Sequence, residues 1–298
     1  MNIPDNELFS IASAILIDGA EGPDDILARL TPLQRDLISM QQLLLKGKLA
    51  QAFTISEELL SRSRSTSERD AEVEVRIRIE RALLATDGND KSGLELRWCT
   101  DRLNAMMPGS SLHGISILNL AAWHANNGEI MMSLAVHSDI SKNSGHPPEI
   151  RGLSRIEVAR MLAALSDFDP AMRHLWTARV IFLEYELTAE AIVAGLEWLD
   201  LALEEVDPSA PRMLHRIETA TPRPVPGNSW IASNPEDIKD VVEHLIPILT
   251  SDVSGDERND LGLIIDAAEV LGEESWINRI SKHSNLIQDS RLLEALQS

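Results

Sequence analysis

Residues 111–142, SLHGISILNLAAWHANNGEIMMSLAVHSDISK, read as two helices, 111–126 and 129–142, that turn on Asn127-Gly128. Glycine supplies the left-handed corner that ends the first helix. A small residue, Ser133, follows early in the second. The same grammar occurs at four other places. KGKLAQA (46–52) ends at Ala52, DGNDKSG (87–93) at Gly93, SDFDPAM (166–172) brackets Ala171 and EVDPSAP (205–211) brackets Ala210. In each, a small side chain sits five or six positions into the second helix of a predicted pair. The small sites Ala52, Gly93, Ser133, Ala171 and Ala210 are 41, 40, 38 and 39 residues apart. A near-constant period of this size is the signature of stacked helical hairpins.

The hairpins in turn resemble the tetratricopeptide-repeat superfamily of α-solenoids. The third matches best, with Leu120, Ala121 and His124 in the first helix, Gly128-Glu129 at the corner, and Ser133, His137 and Ile140 in the second. The fourth offers Val158, Ala159 and Leu162, then Ser166-Asp167-Phe168, Ala171, Leu175 and Ala178; the first offers Met40, Leu44, Gly47, Ala52, Ser56 and Leu59. The second and fifth are degenerate. Helices cross closely only where a small side chain opens a hole that larger neighbours fill, which is why such positions recur. The usual repeat of that superfamily is about 34 residues, so a period near 40 implies longer helices or loops. The resemblance implies an all-α superhelix of about five hairpins over residues 31–220, with first helices lining a concave groove. By position, the groove side chains include Gln34, Gln41, Arg78, Asn126 and Arg160 among Ala82, Ala122, Ala125 and Ala163.

Outside the hairpins, residues 5–18 read as a helix and 1–30 as an N-terminal cap. Thr31-Pro32 is an N-cap followed by proline at the first helical position, and that helix runs to Lys46. Its partner spans 49–61, and RSRSTS (62–67) reads as a polar hinge. EVEVRIRIE (72–80) alternates charge with Val or Ile, the period of a half-buried strand. No neighbouring run could pair with such a strand, and its flanks are helix-like, so the reading is a helix capped by Thr66 or Ser67. Further helices are expected over 91–106, 149–165, 170–185, 188–206 and 210–219. Six of the fourteen prolines then fall between Asp207 and Pro235, which predicts an extended connector over 221–235. Residues 236–298 read as a C-terminal helical module.

Composition narrows the function. A net charge of −20 repels phosphate backbones and anionic membranes, so neither a nucleic acid nor a membrane is an expected partner. Cys99 is the only cysteine, which excludes an intrachain disulfide and a cysteine-based zinc site. Asp5 and Glu7 stand where a signal peptide needs basic residues, and the apolar run 8–17 is too short to span a bilayer. A reduced, cytoplasmic location is the expectation.

No G-x-S-x-G, Walker-type or G-x-G-x-x-G motif occurs, so no catalytic residue and no cofactor are assigned. His124, His137 and Glu129 could in principle hold a metal, but both imidazoles occupy core aromatic positions and no third ligand follows at helical spacing, so no metal is assigned. Trp98 and Trp176 occupy equivalent second-helix sites and read as core packing. Two surfaces are candidates for a partner. Gln41, Arg78, Asn126 and Arg160 could receive a carboxylate or acidic segment in the groove. Residues 184–207 hold eight acids and no base, and Glu190, Glu197, Asp200 and Glu204 would form a docking strip for a basic partner. The expected function is a non-enzymatic scaffold that binds a protein or peptide through the groove or helix 188–206. An all-α enzyme or ligand-binding protein, with a pocket between array and C-terminal module near Arg160, His124 or Glu129, is the alternative. A third reading is one arm of a homo-oligomer.

Overall fold

Thr31 opens the first helix as its sequence predicts, and it does so reciprocally. Its hydroxyl accepts from the Gln34 amide at 3.2 Å, and the Gln34 side chain accepts from the Thr31 amide at 3.0 Å. The computed structural model describes residues 28–84, 88–203, 235–251 and 261–287, with Phe9, Ala12, Ser13, Leu293 and Leu296. Among these residues there are twelve α-helices, one short 3-10 turn and no strand. Most of the helices expected at 5–18 and 289–296 lies outside the described residues, as do all of 210–219, the small site Ala210 and all but the last residue of the connector 221–235. Among the described residues, no helix is long and apolar enough to cross a membrane. The chain forms two compact units, Met1–Asp139 and Ile140–Ser298.

The first unit holds α1 (Pro32–Leu45), α2 (Leu49–Ser63), α3 (Ala71–Leu83), α4 (Asn89–Met106), α5 (Ser111–Asn126) and α6 (Ile130–His137). Each packs chiefly on its neighbours in sequence, and α3 also reaches α1. The expected hinge is pinned down. Arg62 donates to Asp36 of α1 at 2.8 Å and, through two nitrogens, to Glu68 in the turn beyond α2 at 2.8 and 2.9 Å. The helix after it is capped by Asp70, whose carboxylate accepts from the Glu72 and Val73 amides, rather than by Thr66 or Ser67.

In α3 the alternating residues 73, 75, 77 and 79 are all buried, yet the segment is helical. On a helix, residues four apart lie about 40° apart and residues two apart about 200° apart. Alternation therefore splits into two opposed stripes. Val73 and Ile77 pack into a cluster with Leu37, Met40, Ala52 and Leu59 of α1 and α2. Val75 and Ile79 face the other way, into Cys99 and Leu103 of α4 and Leu112 of α5. A helix with layers on both sides needs two apolar stripes, and the shortest sequence that writes both looks like a strand.

The helix ends repeat one corner. In five of them the residue after a left-handed position donates its amide to the carbonyl five residues back: Lys48 to Leu43, Glu129 to His124, Asp167 to Leu162, Leu187 to Phe182 and Glu273 to Ala268. This is the Schellman closure. Gly47 and Gly128 hold the left-handed position at φ of 68° and 77°, where a Cβ is unfavourable, but Ser166 and Glu186 hold it at 61° and 60° without glycine. The small sites behave as expected, one or two places earlier in their helices. Ala52, Gly93, Ser133 and Ala171 are all buried at the fourth or fifth helical residue. A Cβ on Gly93 would stand 2.5 Å from the Trp123 ring of α5, and the Ser133 hydroxyl donates to the Ala121 carbonyl of α5 at 2.7 Å. One expectation fails: the helix predicted over 129–142 stops at His137. The Ser138 hydroxyl bonds back to the Ala135 carbonyl at 2.6 Å, and Ser141 to Gly145 form turns.

The second unit holds α7 (Pro148–Ala164), α8 (Phe168–Glu184), α9 (Thr188–Leu203), α10 (Pro235–Leu249), α11 (Leu261–Leu271) and α12 (Glu274–Ser281). Here α7, α8 and α9 pack in sequence, and α10 and α11 both rest on α9. One apolar cluster runs from Ile156 and Phe182 through Trp198 to Leu245, Ile265 and Trp276, so the C-terminal helices share their core with α7–α9. Gly195 makes the seam close: a Cβ there would touch Leu245 of α10 at 3.6 Å.

Candidate functional site

Arg78 is the one groove residue around which other functional groups gather. It sits on α3, one turn after Glu74, and its Nε donates to Glu74 at 3.1 Å while a terminal nitrogen donates to Glu95 of α4. Arg64, just beyond α2, donates through Nε to the same Glu74 oxygen at 2.8 Å. Arg81, one turn further along α3, lies over the Phe53 ring at 4.8 Å and donates to Ser56 at 3.1 Å. These groups, with Leu60, Ala82, Lys91 and Ser92, line a pocket of about 100 Å³ between α2, α3 and α4.

Four cations, Arg64, Arg78, Arg81 and Lys91, thus meet two carboxylates, Glu74 and Glu95. Burial alone would raise the Glu74 carboxyl, but the hydrogen bonds from Arg64 and Arg78 outweigh it and hold it below its ordinary value. For Arg78 burial acts downward, and Glu95 and Glu74 together raise it above its ordinary value. Both carboxylates are therefore ionised at neutral pH. Arg64 bonds through Nε alone and Arg78 through Nε and one terminal nitrogen, so donors remain on both guanidinium groups.

The pocket has an apolar rim. Lys91, Leu94, Glu95 and Trp98 share one face of α4 by helical spacing. Leu94 is 73% exposed and Trp98 38%, and the Arg78 guanidinium lies flat over the Trp98 ring at 4.1 Å. Trp98 is therefore a surface residue and not the core residue the sequence suggested. Its counterpart Trp176 is half-buried and packs edge-on against Trp198 at 5.3 Å. The exposed indole arises because α4 turns its buried face, Leu96, Cys99 and Leu103, toward its neighbours.

The other expected residues are dispersed. Gln41 is buried, accepting from Ser13 at 3.3 Å and donating to Glu80 at 2.9 Å. Gln34 is spent in the capping box of α1. Asn126 is exposed at the end of α5. Arg160 on α7 is bound to Glu157 and, by three contacts of 2.5 to 3.2 Å, to Glu197 on α9. A residue expected to bind acids and one expected to bind bases are thus each other's partners. Of the remaining strip, Glu190 is half-buried, Asp200 is exposed and Glu204 lies outside the described residues.

The histidines and the cysteine are internal. His124 pairs with Glu129 at 2.5 Å and stands edge-on to Trp123, while His137 is 5% exposed and burial pulls it down to about 4. No group of three His, Cys, Asp or Glu suited to a metal occurs among the described residues. Burial pushes the Cys99 thiol up to about 12, which keeps it protonated. Arg179, 4% exposed on α8, donates to Asp240 of α10 at 2.9 Å, so this buried charge joins the C-terminal helices to α8.

Sequence reasoning missed Arg64, Arg81, Lys91, Glu95 and the surface role of Trp98. A signal existed: residues 62–81 hold six arginines in a chain with 47 acids. Helical spacing along one helix does not reveal that three helices bring those charges together. No protein-family model matches the chain, and no curated protein sequence matches it.

Proposed function

We propose that this protein is a non-enzymatic, tetratricopeptide-repeat-like scaffold that holds a segment of a partner protein, and that it does so on the α3–α4 face of its first unit. One observation carries the reading: a half-exposed Trp98 covered by Arg78, with Leu94 fully at the surface on the same helix face, beside a pocket of cations. Tryptophan and arginine are the residues that most often dominate protein contacts, because each offers a large rigid surface with a polar edge. The recurring corner and the two-striped α3 support the repeat reading, since such helices are stable only between neighbours. The acidic helix is the weaker surface, because Glu197 is already bound to Arg160.

The test is quantitative affinity capture with the full chain against the double variant Leu94→Asp, Trp98→Ala. Partners enriched by the wild type should fall at least tenfold on the variant, with helical circular dichroism unchanged. Equal recovery on both proteins removes this face from the proposal.

A further inference from the structure

We propose that the pocket between α2, α3 and α4 receives a phosphoryl group carried by the bound segment. The inference rests on the scaffold reading above and adds the chemistry of the ligand. Its first ground is charge. Arg64, Arg78, Arg81 and Lys91 exceed Glu74 and Glu95 by two formal charges, in a chain whose total is −20. Opposite charge is screened beyond about 8–10 Å at physiological salt, so a ligand inside the pocket responds to these six groups and not to the whole molecule. A phosphoryl group of about −1.5 to −2 balances that excess, whereas a carboxylate balances half of it.

The second ground is donor geometry. The terminal nitrogens of Arg64, one terminal nitrogen of Arg78 and the Lys91 ammonium carry no ion pair among the described residues. They come from three different helices around one space, the arrangement that suits a tetrahedral acceptor with oxygens in several directions. Ser92 adds a hydroxyl at the wall. The third ground is size. About 100 Å³ holds an oxyanion but falls well short of the roughly 300–1,000 Å³ of a small-molecule site. The rest of the ligand must lie outside, where Leu94 and Trp98 give an apolar ledge on the same face of α4.

The experiment uses the full chain and three degenerate peptide mixtures with a fixed central phosphoserine, serine or glutamate, together with inorganic phosphate alone. Binding is followed by calorimetry at constant ionic strength. The phosphoserine mixture should bind at least tenfold more tightly than the serine and glutamate mixtures and than inorganic phosphate. That preference should shrink to about threefold or less in Arg64→Gln, Lys91→Gln, two positions at the pocket mouth, and partly in Lys91→Gln alone. Circular dichroism of both variants monitors folding. Equal binding of the three mixtures, or a preference unchanged in the variants, overturns the proposal. Inorganic phosphate binding as tightly as the phosphopeptides overturns the segment-borne ligand in favour of the free ion. Partner capture that needs Leu94 and Trp98 yet ignores phosphatase treatment overturns this inference alone and leaves the scaffold standing.

Discussion

His137 shows how one buried side chain sets a pH limit. Its imidazole is 5% exposed, and burial lowers it from 6.5 to about 4. Above pH 6.5 the residue is neutral in both folded and unfolded chains and contributes no pH dependence. Between 6.5 and 4 the unfolded chain takes up a proton that the folded one does not, so stability falls as pH falls. The loss by pH 4 is about 3 kcal/mol for a shift of this size. His137→Phe keeps a ring at a position where the resemblance implies an aromatic residue and removes the titration. Urea unfolding of the first unit should therefore show a shallower decline from pH 6.5 to 4 in the variant, and parallel declines would show that His137 is not the group responsible.

At the scale of the element, α3 decides how the first unit is layered. Ile77 and Ile79 are two residues apart in sequence but belong to different apolar clusters, with α1–α2 and with α4–α5. Ile→Val at either position should cost about 0.5–1.5 kcal/mol, the loss of one buried methylene. The costs should add to within about 0.5 kcal/mol in the double variant, because the two side chains share no partners. A coupling above 1 kcal/mol, measured by urea denaturation of the four proteins of the cycle, would place both residues in one layer and contradict the two-stripe account. The sequence made α3 legible as a helix only through its flanks and its lack of a pairing partner. Its alternation pointed toward a strand, since a sequence pattern records which residues are apolar and not how many neighbours surround them. The corners divide in the same way: Gly47 and Gly128 announce a left-handed turn, whereas Ser166 and Glu186 reach one because the helices on either side impose it.

For the molecule as a whole, the distribution of charge and of core matters more than their totals. The chain is strongly acidic, yet its first unit gathers four cations around one pocket. In the second unit the helices expected to form a terminal module share their core with α7–α9, and Leu245 of α10 lies against Gly195 of α9. Leu245→Ala should therefore cost about 2–5 kcal/mol and lower hydrogen-exchange protection in α9 together with α10. Loss of protection confined to α10–α12 would show that those helices are held separately. The buried Arg179–Asp240 pair works in the same direction, because separating α10 from α8 would leave a buried guanidinium without its carboxylate.

The sequence by itself determined the local part of this protein: where most described helices begin and end, the small residues that let them cross, and two of the glycine corners. These depend on interactions within a few residues, which spacing and residue type record directly. Tertiary structure decided which faces of those helices meet, and hence that α3 has two cores, that Arg160 is bound to Glu197, and that Trp98 lies open beside Arg64, Arg78, Arg81 and Lys91. A charge or an indole acquires its role from neighbours 10 to 40 positions away in the chain, and side chains on three separate helices meet only after the helices have packed.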